Sequence, residues 1–153
     1  MRQTDILIQR SVPDDLVAIS TIYEHHVQRR LRAITGDGLP FLTATKDGRV
    51  AGYAYCSPWN VRPAYRYTVE DSIYVAPDAV GCGVGGRLLD ALLSDCAGAG
   101  VREVIAVIVD VDGAASLSLH RNRGFVDAGR LTAVGFKHGR WLDTLLLQRS
   151  LPG

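Results

Sequence analysis

The run Gly81-Cys82-Gly83-Val84-Gly85-Gly86 is the part of this sequence best equipped for chemistry. Ahead of it, the β-branched and aromatic residues Ile73-Tyr74-Val75 read as a strand. Pro77 must end that strand, because proline cannot donate to a ladder. Behind it, Leu88, Leu89, Leu92 and Leu93 recur at helical spacing. Strand, glycine loop and helix in that order leave the first N–H groups of the helix without acceptors, at the positive end of the helix dipole. A phosphate fits among those donors, and glycine lets the backbone approach it with no Cβ in the way. A plain turn needs fewer glycines, so the loop reads as an anion site. Cys82 reads as a small loop residue, with no histidine nearby in sequence to make it a nucleophile.

The elements that must position this loop can be read along the chain. A short strand over Asp5 to Gln9 precedes a helix opened by Ser11, Pro13, Asp14 and Asp15. Leu16, Ile19, Tyr23 and Val27 mark its apolar face to about Arg30, and His25 and His26 read as solvent-facing rather than as metal ligands. Arg32 to Leu39 reads as a short link. Phe41 to Thr45 and Val50 to Tyr55 are strands joined at Asp47-Gly48, a strong hairpin signal. Pro58 to Ala64 is a loop and Tyr67 to Val75 the next strand, completing an antiparallel meander. The glycine helix runs from Gly83 to about Ala97 and is stopped by Gly98 and Gly100. Val104 to Val109 is an unbroken apolar run, the pattern of a strand buried on both faces. A short helix carries Ser116, Leu117, Leu119 and His120. A strand starts at Gly124-Phe125-Val126, Leu131 to Arg140 is a loop or bulged ribbon, and Trp141 to Gln148 is a final strand.

Composition sets the class. At 153 residues, 47% of them apolar and 22% charged, one globular domain over 1–153 is expected. A net charge of +1 gives no electrostatic case for nucleic acid or a membrane surface. Met1 to Arg10 has no apolar core of a signal peptide, and no run has the length of a membrane span. Cys56, Cys82 and Cys96 are odd in number and form no C-x-x-C pair. They read as reduced thiols of a cytoplasmic protein, and no metal site is expected.

Two kinds of phosphate binder fit the glycines. Gly81 to Gly86 matches the dinucleotide fingerprint G-x-G-x-x-G, and Gly83 and Gly85 match the G-x-G core of the coenzyme A loop of GNAT acyltransferases. A dinucleotide fold opens with its fingerprint and wants an acid about 20 residues on, at the next strand end. Here a helix and a hairpin come first, and the nearest strand-end acid, Asp110, lies farther away. The order of elements instead resembles the GNAT N-acetyltransferase fold. The words Tyr53-Ala54-Tyr55, Pro58-Trp59, Thr68-Val69-Glu70-Asp71-Ser72-Ile73-Tyr74-Val75, Leu119-His120, Gly124-Phe125 and Val134-Gly135-Phe136-Lys137-His138-Gly139-Arg140-Trp141 with Asp143 resemble its phosphinothricin and methionine sulfoximine acetyltransferase branch.

The resemblance implies an α+β fold, an α/β sandwich with a mixed, mostly antiparallel sheet of about six or seven strands and three or four helices. It implies direct transfer of an acetyl group from acetyl-CoA to a small primary amine, an amino acid or analogue, by a homodimer. Amide formation needs a neutral amine, and Glu70, in the strand before the loop, is the candidate base. Partial burial would raise its pKa toward a useful value. Asp71, on the opposite strand face, reads as a solvated carboxylate. The backbone of Ile73, Tyr74 and Val75 would meet the acyl carbonyl and the cofactor, with Gly81, Cys82, Gly83, Val84, Gly85 and Gly86 around the pyrophosphate. His120 reads either as a proton donor to the leaving thiolate or as a core histidine on a backbone hydrogen bond. Arg62 and Tyr65, with Arg66 beside them, and Lys137 and His138 are candidates for the acceptor, Arg62 as a fork for a carboxylate. Trp59 and Trp141 read as cleft walls or as core or interface residues.

The sequence also departs from the family pattern. Val80-Gly81 replaces a Gln/Arg pair that helps hold the phosphates, and Gly113 stands where a cofactor-contacting asparagine is expected. The segment from Arg29 to Pro40 is short, which predicts loss of a second helix and a more open pocket. These departures keep a second reading in play, a coenzyme A binder or sensor without turnover. A nucleotide-dependent oxidoreductase is the third.

Overall fold

The computed structural model describes residues 5–22 and 27–153. In chain order these form β1 (Ile6–Arg10), a 3₁₀ turn (Pro13–Asp15), α1 (Leu16–Ile22), α2 (Val27–Gly36), β2 (Phe41–Lys46), β3 (Arg49–Pro58), a 3₁₀ turn (Pro63–Tyr65), β4 (Thr68–Val75), a 3₁₀ turn (Pro77–Ala79), α3 (Val84–Gly98), β5 (Glu103–Val109), α4 (Ala114–Arg121), β6 (Val126–Lys137) and β7 (Arg140–Ser150). The strands make one mixed sheet in the order β1-β2-β3-β4-β5-β7-β6, in which β4 and β5 run parallel. This is the α+β arrangement expected. No helix among the described residues is long and apolar enough to cross a membrane. The chain divides into two compact units, Met1–Ser57 with Ser72–Gly100 and Pro58–Asp71 with Val101–Gly153.

In the first unit, β2 and β3 are joined through Asp47 and Gly48, both at positive φ (53° and 73°), the geometry of a tight hairpin turn. Phe41, Tyr53 and Tyr55 bury their rings against Ile19, Leu31 and Ile34. Tyr74 stacks on Tyr53 with ring centroids 4.8 Å apart. On α3, Val84, Leu88, Leu89, Leu92, Leu93 and Cys96 are buried, as their spacing requires. The link expected over Arg32 to Leu39 is instead helical to Gly36, so the second helix thought lost is present as α2. Leu31 and Ile34, three residues apart, land on one helix face and reach the core, and Arg30, Arg32 and Ala33 are good helix formers. The helix stops at Gly38 (φ 73°), where Leu39 N–H returns to Ile34 O at 3.1 Å. Tyr23, His25 and His26 lie outside the described residues.

In the second unit, β5 corrects the expectation of two buried faces. Val104, Ala106 and Ile108 point into the core, whereas Val107 and Val109 are 39% and 43% exposed. A strand alternates its side chains, and the start of α4 covers the face of Ile108; an apolar run alone does not say whether both faces find a cover. The segment Leu131 to Arg140 is the bulged form of its expectation. β6 slips register between Leu131 and Gly135, and Ala133 sits at φ 52°. Asp143 holds the bulge by accepting the Ala133 N–H at 2.8 Å, and its other oxygen accepts from Arg130 at 2.6 Å. Arg130 also reaches Asp110 at 2.7 Å.

Candidate active site

The glycine loop grows out of the end of β4. Ala76 N–H bonds Ala51 O at 2.8 Å, which closes the strand, and the Pro77–Ala79 turn leads to Cys82 N–H on Ala79 O at 3.3 Å. Gly81 (φ 81°) and Gly83 (φ 83°) are left-handed, which explains glycine at both. Gly83 is the N-cap of α3, and no side chain caps it. The helical bonding begins with Arg87 N–H on Gly83 O at 3.2 Å, so the N–H groups of Val84, Gly85 and Gly86 precede it and have no intrahelical acceptor. A Cβ built on Gly81 or Gly83 meets nothing within 4 Å, so the loop borders open space. Val84 anchors it from inside, 1% exposed. These are the features of a phosphate cradle.

Beside the loop lies a cation that the sequence alone did not single out. Lys46, at the end of β2, places Nζ 3.4 Å from Cys82 Sγ. It stands far from the loop in sequence, and the fold brings the two together. Gly113 proves equally specific. A Cβ at this position would lie 2.3 Å from Val109 O and 2.6 Å from Ile108 Cγ2, so the backbone has no room for the asparagine of the family pattern.

Glu70 is half-buried on β4 and shares a strand face with Ser72 and Tyr74; Val69, Asp71 and Ile73 take the other. The parallel ladder pairs Thr68, Val69 and Glu70 with Glu103, Val104 and Ile105, and no described rung to β5 follows Glu70. The β4–β5 ladder thus has its last rung at Glu70.

Asp71 corrects the expectation of a solvated carboxylate. It is 7% exposed and His120 4%. His120 Nε2 lies 2.8 Å from Asp71 Oδ2, and Nδ1 lies 2.7 Å from Ser116 O. The Phe125 ring meets the imidazole edge-on at 4.9 Å. Sequence reasoning placed Asp71 outside because alternation fixes which face a residue takes, not whether a helix covers that face. Burial pulls the His120 pKa down, but the hydrogen bond and charge of Asp71, with the Ser116 carbonyl, outweigh it, and the net shift is upward from 6.5. A raised folded-state pKa stabilises fully below the unfolded value, and that contribution is lost as pH rises through the folded value. The melting temperature is therefore expected to decline from about pH 6.5 upward, with a shallower slope in His120→Gln, as thermal melts across pH would read.

The acceptor candidates sit on two exposed segments of the second unit. Arg62 caps the Pro63–Tyr65 turn, its N–H on Asn60 Oδ1 at 2.9 Å, and Tyr65 is 46% exposed. Arg66 covers the Tyr67 ring at 4.3 Å. Lys137 pairs with Arg140 across a tight turn made by His138 and Gly139, both at positive φ. No hydrogen bond joins the side chains of these two segments among the described residues. Trp141 is 68% exposed and packs on Phe136. In the first unit, α2 brings the Arg30 guanidinium to the Tyr55 hydroxyl, a partner on β3 that sequence spacing does not reveal.

The dinucleotide reading loses its acid, since Asp110 is paired with Arg130. Comparison with known proteins agrees. Residues 9–125 match the model of the Acetyltransferase (GNAT) family. The chain is 46% identical to a phosphinothricin N-acetyltransferase of Alcaligenes faecalis, over 90% of this chain and 79% of that one. It is 34% identical to an L-methionine sulfoximine/L-methionine sulfone acetyltransferase of Salmonella typhimurium, over 90% of each. The crystal structure of a phosphinothricin acetyltransferase from Sinorhizobium meliloti in complex with AcCoA superposes with a TM-score of 0.89 at 42% identity, covering 95% of this chain and 88% of that one. With a strand, a left-handed glycine loop and an uncapped helix start in that order, and with these relatives, the chain belongs to the GNAT acetyltransferase family.

Proposed function

We propose that this protein moves an acetyl group from acetyl-CoA directly onto the primary amine of a small amino acid or analogue, such as phosphinothricin or methionine sulfoximine. The observation that carries this reading is the uncapped start of α3 behind two left-handed glycines, at the end of the strand that bears Glu70. In this reading the N–H groups of residues 81–86 take the pyrophosphate and the backbone of Ile73, Tyr74 and Val75 takes the acyl end. Glu70, directly or through a water, accepts a proton from the substrate ammonium. The freed nitrogen attacks the thioester carbon, a backbone N–H steadies the oxyanion, and the C–S bond breaks as the amide forms. The nitrogen sheds its second proton to the leaving thiolate, directly or through a water, and Glu70 releases the first to solvent. His120 is the other candidate donor to the thiolate, and to serve it would have to leave Ser116 O or Asp71 Oδ2, which its ring nitrogens face. Arg62, Tyr65, Lys137 and His138 are the side chains assigned to the acceptor's polar groups.

The test is turnover with acetyl-CoA across a panel of amino acids and analogues, read by mass spectrometry of the acetylated product. Acetyl-CoA binding with no product on any amine would favour the sensor. A thermal shift with NAD(P) and none with coenzyme A would favour the oxidoreductase.

Lys46 supplies the charge that Val80-Gly81 lacks in this reading. Lys46→Met is expected to raise the KM for acetyl-CoA several-fold and leave kcat within about twofold, since a phosphate contact far from the thioester binds ground and transition state alike. Steady-state kinetics at low and moderate salt would read it, and an unchanged KM removes Lys46 from the site.

The same reading takes residues 1–153 as one cytoplasmic acetyltransferase domain that forms a homodimer. Cys56, Cys82 and Cys96, present as thiols, support a reducing compartment. Exposed Val134, Phe136 and Trp141 on β6 and β7 are apolar surface of the kind a second copy would cover. Trp141→Glu is then expected to shift the sedimentation coefficient toward the monomer, and a wild type that already sediments as a monomer refutes the dimer.

A further inference from the structure

We infer that Asp71 is a positioning residue for acetyl transfer: through His120 it clamps β4 to α4 where the β5 ladder ends, and so fixes the backbone that aims Glu70. This rests on the reading of Glu70 as the base.

Three observations carry it. The clamp is buried, with 2% of the Asp71 side chain and 5% of the His120 side chain exposed. A buried ion pair is weak evidence for stability, because well-packed apolar residues often do as well there. Its second feature is geometry. Ser116 O and Asp71 Oδ2 both accept, so Nδ1 and Nε2 both donate, and the ring is an imidazolium gripped at two points. The third is place. The last rung between β4 and β5 is Glu70 to Ile105. One residue on, past that last rung, the Asp71 side chain ties the strand to α4. Adjacent side chains take opposite faces, so a twist of β4 released by loss of the clamp would turn Glu70.

The groups that set the charge of the ring come from each element around it. They are Asp71 from β4, the Ser116 carbonyl and hydroxyl from α4 itself, the Arg123 charge just beyond α4, which opposes protonation, and the edge contact of Phe125.

The experiment has two arms. In ring-labelled wild-type protein at pH 7.5, nitrogen NMR should show both His120 nitrogens protonated; a neutral ring with one bare nitrogen overturns the clamp. In kinetics, Asp71→Asn should lower kcat at least tenfold with the KM for acetyl-CoA within about twofold. The same change should have little further effect in a Glu70→Gln background, because a positioning residue acts through the group it positions. An equal loss in both backgrounds, or an unchanged kcat, overturns the inference. His120→Gln should reproduce the loss, which keeps the test open if Asp71→Asn does not fold. An unchanged kcat in Glu70→Gln alone removes the base reading, an outcome on which the ring spectrum does not depend.

Discussion

Replacing Glu70 with glutamine is expected to lower kcat at least tenfold while the affinity for acetyl-CoA stays within about twofold. The size follows from what the carboxylate is asked to do. An α-ammonium group has a pKa near 7.7–8.0 in model compounds and most of it is protonated at neutral pH, so attack waits on a proton acceptor held in place. Positioned proton transfer contributes on the order of 10²–10⁴ in rate, and glutamine keeps the shape of glutamate while losing its basicity. The affinity for acetyl-CoA is expected to hold because the proposed cradle is backbone, built from residues 73–75 and 81–86, and glutamine disturbs none of it. The pH profile gives a second readout. The inflection on the rising limb of kcat/KM, which reports the free enzyme's base, should vanish in Glu70→Gln and leave a rise set by the substrate amine and hydroxide. A variant with wild-type kcat and an unchanged profile would leave Glu70 a strand carboxylate and nothing more.

Much of the frame that holds this carboxylate was legible without coordinates, and the reasons are local. Asp47-Gly48 fixes a hairpin because two successive positive-φ residues have few alternatives. The α3 leucines fix a helix because their spacing makes one apolar stripe. The loop glycines were readable as a turn into a helix start because few other residues take left-handed backbone there. What stayed hidden depends on partners distant in sequence. Asp71 looked solvated until α4 was seen to cover it with His120. Lys46 carries no local mark of a site, and only the folded chain sets it beside Cys82. Val107 and Val109 looked buried because hydrophobicity reports what a residue tolerates, not what covers it. The α2 error was of another kind. Gly36 and Gly38 drew the helix end too early, while Leu31 and Ile34, two apolar side chains on one face, were enough to carry it through.

The larger expected effect on binding comes from Gly83→Val, which should raise the KM for acetyl-CoA at least tenfold or abolish binding in calorimetry. Two physical terms act together at this residue. Its φ of 83° lies where a β-branched side chain is strained, a cost on the order of 1–3 kcal/mol that the loop can relieve by leaving the conformation that aims its N–H groups. Its missing Cβ faces open space, so a valine that keeps the conformation would project side-chain atoms into the space proposed for a phosphate oxygen. Either way the cradle is spoiled. Strain without blockage is separable by a second variant. Gly100 has the same φ of 83° and also meets nothing within 4 Å, but lies past the other end of α3, where no N–H groups await an anion. A helix of 15 residues is about 22 Å long at 1.5 Å per residue, too far for Gly100 to touch the loop. Gly100→Val is therefore expected to lower the melting temperature without changing the KM for acetyl-CoA. If both variants bind acetyl-CoA like the wild type, the pyrophosphate does not sit at the start of α3, and the assignment of residues 81–86 falls with it.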